Sequence, residues 1–564
     1  MENKKYMMID GLPVEIGEEK NILEVIRKAG IMLPTFCYYS ELSIYGACRM
    51  CMVENKWGGM EAACSTPPKE GLEIWTNTER LRKYRRMILE LLLAEHCRDC
   101  TTCSNNGKCR LQELAMRFNI EGVRFPNGAE TSRRDDSSLC ISRDQNKCIL
   151  CGDCVRMCGE VQQVGAIDFA HRGSKMTIST VFDIPISESD CVGCGQCAAV
   201  CPTGAIVIKK DSEKVWKALD EKETRVSVQI APAVRVALGQ ELGIGCGENA
   251  MGKITAALRR MGFNEVYDTS TGADLTVLEE ASELLDRLAG GERKMPLFTS
   301  CCPAWVSFCE KEYPELLENL STCRSPMQMF ASVIKEHHKH SPRKQVHVAV
   351  MPCTAKKAEA AREEFRTEAG ANVDYVITTQ ELIQMIKESG LAFAELEPEA
   401  IDMPFGTMSG AGVIFGVTGG VTEAVLRRIS ADKSPAALSA LAFNGMRGND
   451  GIKETTVKSG GKELHIAVVS GLGSAREIIK RIKGGEHFDF VEIMACPGGC
   501  VSGGGQPFAL SDGRATRGKG LYSADRMSSI KRSEENPLMM SLYAGLLKGR
   551  VHDLLHVHYG KKGE

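Results

Sequence analysis

The uneven distribution of cysteine constrains this chain more than any other feature of its sequence. Seventeen of the 25 cysteines fall within the first 201 residues, and the other eight are spread over the remaining 363. Secreted disulfide scaffolds are short, whereas this chain has 564 residues and an odd number of cysteines. The pattern therefore favours metal ligation. It predicts small N-terminal modules that draw folding energy from bound metal, followed by a true globular domain.

Length and charge narrow the class of protein further. A chain of 564 residues exceeds what one hydrophobic core supports, so several domains are expected. The net charge of -3 argues against a nucleic-acid partner. The sequence has no run of about 18 apolar residues and no secretory signal at its start, so we expect no membrane span and a location in the reducing cytoplasm.

Two segments repeat the spacing CxxCxxCxxxC, which is typical of bacterial ferredoxins with two 4Fe-4S clusters. In that pattern three neighbouring thiolates hold one cluster and the fourth crosses to the other. Structural zinc sites pair CxxC units instead, so zinc is disfavoured here. The spacing predicts one cluster bound by Cys148, Cys151, Cys154 and Cys201, and a second bound by Cys191, Cys194, Cys197 and Cys158.

Two further groups of candidate ligands are less regular. The first combines one CxxC with two longer gaps, and it consists of Cys37, Cys48, Cys51 and Cys64. A 2Fe-2S cluster is its predicted occupant, with zinc as an alternative on spacing alone. The second group offers five candidates where four are needed, and spacing does not decide which is spare: His96, Cys97, Cys100, Cys103 and Cys109.

The C-terminal part combines cysteines with apolar, strand-like runs. From about Val226 onward such runs alternate with helical segments, which predicts α/β structure with largely parallel sheets. A glycine-rich stretch from Gly406 to Gly420 predicts either close approach to a bulky group or close helix–strand packing. The segments FTSCCPAW, VAVMPCTAKKAEAAREE and VEIMACPGGCVSGGGQP each lie within or just after an apolar run, where strand ends gather ligands at one sheet edge. They supply five cysteines where a 4Fe-4S cluster takes four: Cys301, Cys302, Cys353, Cys496 and Cys500.

These three segments resemble the signature motifs of the iron-only (FeFe) hydrogenases, TSCCPxW, MPCxxKxxE and ExMACxxGCxxGGGQP. The resemblance covers the whole chain, because the larger members of that family carry the same accessory iron-sulfur modules. The N-terminal third also resembles the corresponding part of the respiratory complex I large subunit. The resemblance implies an enzyme that reversibly reduces two protons to dihydrogen. It also implies a multidomain fold, with α+β iron-sulfur modules followed by a two-lobed α/β catalytic domain.

The resemblance and the cysteine distribution together predict five segments. The segments are a 2Fe-2S ferredoxin-like module at 1–79, a histidine-ligated 4Fe-4S module at 80–125, a two-cluster ferredoxin-like module at 126–210, a catalytic domain at 211–520, and a small segment at 521–564 that packs on the catalytic domain. Within the third segment, the polar stretch at 126–138 is predicted to be a linker.

The family pattern implies how both surpluses of ligands are resolved. The motif HxxxCxxCxxxxxC leaves Cys97 spare and selects His96, Cys100, Cys103 and Cys109. In the catalytic motifs Cys500 is implied to bridge to a di-iron unit that carries CO, cyanide and a dithiolate. The implied ligands of the adjoining 4Fe-4S cubane are Cys302, Cys353, Cys496 and Cys500. The implied cofactors are one 2Fe-2S cluster, three accessory 4Fe-4S clusters and this composite H-cluster.

The remaining cysteine of the pair, Cys301, is implied to be a free thiol that carries protons to the di-iron unit. Lys356 is implied to donate to a cyanide nitrogen. The family's proton path outward from Cys301 falls by motif position on Glu280, Ser321, Glu283 and Arg287. Further cofactor contacts are implied for Ala231, Pro232, Ala233, Met351 and Met494.

The resemblance leaves the electron partner open. Ferredoxin is the expected donor. The alternative is a flavoprotein or NAD-linked partner within an NAD(P)-linked or electron-bifurcating complex. Because no Rossmann or flavin motif occurs in this chain, the partner would have to bind the NAD. A non-enzymatic iron-sulfur sensor or assembly protein is disfavoured, because Cys301 and Lys356 are both retained. The C-terminal histidines are predicted to be ordinary packed or solvated residues: His552, His556 and His558.

Overall fold

The computed structural model describes residues 4–560, apart from 127–133, 368–369, 431, 435, 437, 439, 441–450 and 460–461. The chain divides into two compact units. The first comprises residues up to 161 together with 165–189 and 200–207, and the second comprises 162–164, 190–199 and 208–564.

The linker predicted at 126–138 is only partly visible. Its residues 127–133 lie outside the described residues. Arg134 and Asp135 pair with Arg143 and Asp144 in a short antiparallel ladder, so the linker prediction was wrong for these two positions. Backbone hydrogen bonding to a neighbouring strand outweighs the polar composition that suggested a linker.

The described residues of the first unit form one five-stranded sheet and two smaller ones. Its strands and α-helices are β1 (Lys5–Ile9), β2 (Leu12–Ile16), α1 (Ile22–Lys28), β3 (Met52–Asn55), β4 (Met60–Ala62), β5 (Glu73–Trp75), α2 (Glu79–Ala94), α3 (Arg110–Arg117), β6 (Arg134–Asp135), β7 (Ile141–Asp144), α4 (Asp153–Arg156), β8 (Asp168–Ala170), β9 (Thr177–Ser179) and β10 (Ile206–Ile208). The sheet orders are β2-β1-β5-β3-β4, β10-β7-β6 and β8-β9.

Helix α2 ends beside the predicted histidine ligand. The Thr78 side chain caps its first turn by accepting a hydrogen bond from the Leu81 backbone N at 3.2 Å. Leu81, Leu89 and Ala94 are buried along one face, whereas most charged residues of the helix are exposed. The helix ends at Ala94, and the chain then turns to bury His96.

The second unit is built on parallel sheets with helical connections. Its strands and α-helices are α5 (Gln196–Val200), α6 (Ser212–Asp220), β11 (Thr224–Ile230), α7 (Gly239–Leu242), α8 (Met251–Arg260), β12 (Glu265–Asp268), α9 (Ser270–Leu288), β13 (Leu297–Phe298), α10 (Pro303–Glu312), α11 (Pro326–His337), β14 (Lys344–Met351), α12 (Ala355–Ala360), β15 (Arg366–Thr367), β16 (Gly370–Ala371), β17 (Tyr375–Thr378), α13 (Thr379–Glu388), α14 (Gly410–Val413), α15 (Gly420–Ile429), β18 (Ile452–Ser459), β19 (Lys462–Ser470), α16 (Leu472–Lys483), β20 (Phe490–Met494), α17 (Ser511–Met527), α18 (Pro537–Ala544) and α19 (Val551–Leu555).

Two four-stranded sheets carry this unit. The first has the order β12-β11-β14-β17 and is parallel throughout. The second has the order β13-β20-β19-β18 and is parallel except for its edge strand β18. The central strands β11 and β14 are buried over most of their length, although their sequences, TRVSVQI and KQVHVAVM, include several polar residues. The predicted α/β architecture with largely parallel sheets is confirmed.

Helix α9 occupies a central position in this unit. It is 19 residues long, and most of its side chains are buried, including several polar ones. It packs against α11, α14 and α15. A helix enclosed in this way can carry ionisable side chains into the interior, and it carries Glu280 and Glu283. Among the helices in the described part of the chain, none is long and apolar enough to cross a bilayer.

Two predicted domain boundaries differ from the observed organisation. The boundary at residue 520 falls inside α17, which runs without interruption from Ser511 to Met527. The segment 190–199, which carries three of the eight predicted ligands of the two-cluster module, belongs to the second unit rather than to the first. Its contacts with the catalytic motifs explain this placement.

Candidate active site

A cavity in the second unit collects the cysteines of all three C-terminal motifs. Its walls include the five cysteines Cys301, Cys302, Cys353, Cys496 and Cys500. Lys356 is the only charged side chain among the described residues that line it. The backbone and methionine contacts implied by the family resemblance line the same cavity: Ala231, Pro232, Ala233, Met351 and Met494.

The cavity lies where parallel strands of both sheets end. Ala231 directly follows β11, and Cys353 lies two residues beyond the neighbouring strand β14. In the other sheet, Cys496 lies two residues beyond β20, and Cys301 lies three residues beyond its neighbour β13. Parallel strands present their carboxyl ends at the same edge, so motifs far apart in sequence converge there.

The thiols around this cavity are buried among apolar groups. Burial raises the pKa of the Cys302, Cys353 and Cys500 thiols above the usual value. Burial likewise raises the pKa of Cys496 to about 12. Sulfur is a soft ligand that suits iron, and the one ammonium group among the described lining residues cannot neutralise four thiolates. The donor set therefore fits an iron-sulfur cluster.

Glycines allow the loops around the cavity to pack closely. A Cβ atom at Gly503 would lie 2.1 Å from the Pro352 carbonyl oxygen, and one at Gly499 would lie 2.6 Å from the Thr418 N atom. In the glycine-rich stretch, a Cβ at Gly412 would lie 2.4 Å from the Ser270 carbonyl oxygen. The two interpretations of the glycine-rich stretch, close approach to a bulky group and close packing, therefore both apply. Gly416 lines the cavity, and Gly412 allows close helix packing.

Lys356 is held at the cavity wall by two acceptors. Its Nζ donates to Glu359 Oε2 at 2.7 Å and to the Cys301 carbonyl oxygen at 3.2 Å. Burial alone would lower the pKa of Lys356, but the adjacent Glu359 carboxylate outweighs it and the net pKa is raised. An ammonium group has three donors, so one remains available toward the cavity.

The inner part of the predicted proton path is formed by Cys301 and Glu280. Burial raises the pKa of the Cys301 thiol, and the nearby Glu280 charge raises it further. Glu280 is fully buried, and neither of its oxygens has a hydrogen-bond partner among the described residues. Burial raises the pKa of Glu280 to about 8, and the Glu283 charge adds to this rise. Glu280 is therefore protonated near neutral pH and can donate a proton.

The outer part of the predicted path converges on Glu283. Ser321 Oγ donates to Glu283 Oε2 at 2.9 Å. Arg287 Nη2 donates to Glu283 Oε1 at 2.5 Å. All five residues predicted for the path thus lie in the second unit. The sequence did not predict that Thr322 also contacts Glu283. The Thr322 hydroxyl donates to Glu283 Oε2 at 3.1 Å, and the Thr322 backbone N donates to the same oxygen at 2.9 Å. A hydroxyl beside a predicted path residue was the only available signal.

The loop 190–199 packs on the catalytic motifs. Thr354 Oγ1 donates to the Gly193 carbonyl oxygen at 2.6 Å, and Gln196 Nε2 donates to the Ser502 carbonyl oxygen at 2.9 Å. Burial raises the pKa of the Cys194 thiol, and the charge of the nearby Cys496 raises it further. The loop thus places a predicted ligand of an accessory cluster near a predicted ligand of the catalytic cubane.

The first unit brings together further predicted ligands. One cavity is lined by all four cysteines assigned to one ferredoxin-type cluster: Cys148, Cys151, Cys154 and Cys201. Among the described residues no three His, Cys, Asp or Glu side chains are arranged to bind a single metal ion. Cysteines that surround a cavity suit a cluster of several atoms.

The histidine-ligated site is partly assembled in the same unit. His96, Cys100 and Cys109 line one cavity, whereas Cys103 and Cys97 are not among its described lining residues. His96 Nδ1 is buried without a hydrogen-bond partner in the described part of the chain. Burial lowers the pKa of His96, so the imidazole is neutral and suited to metal binding.

The cysteines assigned to the 2Fe-2S cluster lie in the N-terminal module. Cys37, Cys51 and Cys64 are buried. The Cys48 backbone N donates to Cys37 Sγ at 3.4 Å, and the Phe36 backbone N donates to Cys48 Sγ at 3.4 Å. Backbone N–H groups directed at sulfur stabilise the charge of bound thiolates, which suits an iron-sulfur cluster.

Sequence profiles of known families match five parts of the chain. The iron-only hydrogenase large subunit, C-terminal domain, matches residues 224–504. The remaining matches are the 2Fe-2S iron-sulfur cluster binding domain at 6–79, the NADH-ubiquinone oxidoreductase-G iron-sulfur binding region at 85–124, the 4Fe-4S dicluster domain at 147–205, and the iron hydrogenase small subunit at 511–562.

Individual relatives match over their whole length. The chain is 43% identical to the NADP-reducing hydrogenase subunit HndD of Solidesulfovibrio fructosivorans, over 98% of both chains. It is 35% identical to iron hydrogenase 1 of Clostridium pasteurianum, over 99% of this chain and 100% of the relative.

A solved structure of the same family matches more than half of the chain. An FeFe-hydrogenase of Chlamydomonas reinhardtii, HydA1, superimposes with a TM-score of 0.54 and 39% identity, covering 62% of this chain and 99% of that one. The predicted fold class and enzyme class are confirmed by these matches. The chain belongs to the iron-only (FeFe) hydrogenase family of oxidoreductases, in the form that carries complex I-like iron-sulfur modules ahead of the catalytic domain.

Proposed function

We propose that this chain catalyses the reversible reduction of protons to dihydrogen as the catalytic subunit of an NADP-linked complex. The observation that carries the reaction is one cavity that contains Cys301, Lys356 and four further cysteines. The observation that favours NADP is the full-length match to a subunit of an NADP-reducing hydrogenase. Ferredoxin, the donor expected from the sequence, is the second candidate.

The proposed cofactor ligands follow the sequence assignment. In the catalytic cavity Cys302, Cys353, Cys496 and Cys500 would hold a 4Fe-4S cubane, and Cys500 would also bind the di-iron unit. When bound, that unit supplies the redox chemistry at which electrons and protons combine. Three accessory 4Fe-4S clusters and one 2Fe-2S cluster complete the proposed set.

Lys356 is proposed to orient the di-iron unit. Its ammonium group is anchored by Glu359 on one side, so the group cannot swing away from the cavity wall. The Cys301 carbonyl oxygen fixes it from a second direction. A fixed positive charge at an otherwise apolar wall favours an anionic ligand at one position and excludes others.

The proton path is proposed to run from Glu283 through Ser321 and Glu280 to Cys301. Each of these groups can both accept and release a proton, and Glu280 has a pKa near 8, which suits transfer at neutral pH. The surrounding residues are buried, so water is largely excluded from the inner end. This arrangement limits proton leakage away from the cavity.

The cysteines of the loop 190–199 would hold an accessory cluster close to the catalytic site, and such a cluster would supply electron-transfer chemistry there. Thr354 follows a catalytic ligand directly and holds this loop through Gly193. Close spacing between redox centres is what rapid electron transfer needs. The N-terminal modules then act as a path from the surface rather than as part of the reaction site.

The partner is tested by comparing electron donors for the purified chain. We expect dihydrogen evolution from a reduced viologen dye, but evolution from NADPH only when a co-purified flavoprotein subunit is present. Evolution from reduced ferredoxin by the isolated chain would support the second candidate instead. A correctly assembled protein that produced no dihydrogen from the dye would contradict the proposed reaction.

Deleting residues 1–125 should separate reaction from electron entry. The Chlamydomonas reinhardtii structure is matched over 99% of its length by 62% of this chain, so a catalytic domain without the N-terminal modules exists within the family. We expect the truncated protein to keep most of its activity with the dye and to lose activity with its protein donor. The measurement is dihydrogen evolution with each donor. Loss of activity with the dye, in protein that had received its cofactors, would show that these modules are needed for the reaction itself.

A further inference from the structure

A hydrogen-bonded chain leads from Glu283 to the C-terminal segment. Thr322 Oγ1 lies 3.1 Å from Glu283 Oε2 and, on its other side, 2.8 Å from His556 Nδ1. His556 Nε2 lies 3.0 Å from Glu279 Oε2. His556 is nearly buried, with a side-chain exposure of 9%. Both nitrogens of this imidazole are therefore engaged, one toward the predicted proton path and one toward a second carboxylate.

Arg287 is poorly suited to supply protons to Glu283. A guanidinium group does not release its protons in proteins. Besides Glu283, its N–H groups donate to three backbone carbonyl oxygens, at 2.8 to 3.1 Å: those of Lys294, Asn319 and Leu320. These contacts suit a residue that holds Glu283 in place. The proton that Glu283 passes inward therefore needs another source.

We propose that His556 is the proton-entry residue of this path and delivers protons to Glu283 through Thr322. This rests on the proposed function of Glu283 in the path. A proton arrives at Nε2 from the Glu279 side, the Nδ1 proton moves to Thr322 Oγ1, and the hydroxyl proton of Thr322 moves to Glu283 Oε2. Only N–H and O–H bonds form and break, and exchange of the neutral ring with water restores its starting tautomer.

Histidine suits this position because each of its two ring nitrogens can carry a proton. The imidazolium form satisfies every contact at once: Nε2–H donates to the Glu279 carboxylate, Nδ1–H donates to Thr322, and the Thr322 hydroxyl donates to Glu283. His556 directly follows α19, and the exposed His552 of that helix places its ring centroid 4.7 Å from that of His556, so the entry residue lies next to a solvent-exposed side chain.

The groups that face His556 come from several elements. Arg324 Nε donates to the His556 carbonyl oxygen at 2.8 Å, and the Tyr543 hydroxyl donates to Glu279. Cys323 forms a β-bridge with His556. The titratable and charged neighbours are thus Glu279 from α9, Cys323 and Arg324 from the loop before α11, Tyr543 from α18, and His552 and Asp553 from α19. The segment 511–562, which matches the iron hydrogenase small subunit, thereby acquires a part in proton supply.

The test compares His556→Gln with His558→Gln in the full chain with its cofactors. His558 is an exposed residue of the same segment that contacts Arg293 at 2.8 Å, so it is a matched control. For His556→Gln we expect roughly tenfold slower dihydrogen evolution from the dye. We also expect the pH profile of evolution in this variant to differ from that of the wild type, because the variant has lost a group that carries protons. Added imidazole should restore part of the rate, and the infrared bands of the H-cluster should be unchanged.

Other outcomes separate this proposal from the path itself. Wild-type turnover and pH profile in His556→Gln, together with a collapse of activity in Glu283→Gln, would overturn only the role of His556. Wild-type activity in Glu283→Gln would overturn the path. If His556→Gln does not assemble, Thr322→Val removes the connecting hydroxyl at nearly constant shape. Thr322→Val should reproduce the slower evolution and altered pH profile, and a wild-type profile there overturns the proposal.

Discussion

Replacing Cys301 with alanine should reduce dihydrogen turnover by a factor on the order of 10² to 10⁴ while leaving the H-cluster in place. Cys301 lines the cavity and lies near Glu280, so its thiol is the inner end of the proposed proton path. Alanine removes that group and creates little strain, because the position is a loop residue three places beyond β13. The measurement is dihydrogen evolution from a reduced dye, normalised to the intensity of the infrared bands.

Cys301→Ser is the matched control for this prediction. A hydroxyl keeps the size of the side chain but releases its proton far less readily than a thiol, so its turnover should also be low. Near-normal turnover in Cys301→Ala, with bands of full intensity, would mean that protons reach the cavity by another route.

Replacing the adjacent residue, Cys302, with alanine should have a different and larger effect. Cys302 stands at the N-cap of α10, lines the same cavity, and is one of four proposed cubane ligands. Its loss leaves three thiolates for a cluster that takes four, so we expect an unstable or absent cluster and no measurable turnover. The measurements are iron content and the infrared bands of the purified variant.

Cys309→Ala is a suitable control for Cys302→Ala. Cys309 is buried on the same helix α10 but lies in the hydrophobic core rather than at the cavity. The Cys309→Ala protein should therefore keep its iron and its turnover, and its free energy of unfolding should fall because packing in the core is lost. A full complement of iron in Cys302→Ala would show that another residue completes the ligand set.

The metal-binding architecture could be predicted from the sequence because iron-sulfur ligation imposes short, regular cysteine spacing. The repeated CxxCxxCxxxC run placed Cys148, Cys151 and Cys154 with the distant Cys201, and these four line one cavity in the structure. Apolar runs followed by cysteines likewise predicted strand ends that meet at one edge. The period of the apolar residues and the spacing of the cysteines involve residues that are close together in the chain, so both can be recognised in a single sequence.

Contacts between distant parts of the chain could not be predicted in the same way. The helical spacing of Glu280 and Glu283 suggested a shared face, but nothing in the sequence indicated that Thr322 and His556 would join them. The HDLLHVHY segment is consistent with a plain amphipathic helix, and its contact with α9 depends on tertiary packing. The placement of the loop 190–199 in the catalytic unit has the same origin, since Thr354 and Gln196 form its contacts across long sequence separations.

Infrared spectroscopy of the purified Cys301→Ala and Cys302→Ala proteins tests the central claim most directly. The claim is that one thiol of the pair carries protons and the other holds metal. CO and cyanide stretching bands report the di-iron unit without requiring turnover. We predict that Cys301→Ala shows these bands and has little activity, and that Cys302→Ala lacks them. Bands present in Cys302→Ala and absent in Cys301→Ala would contradict the assignment.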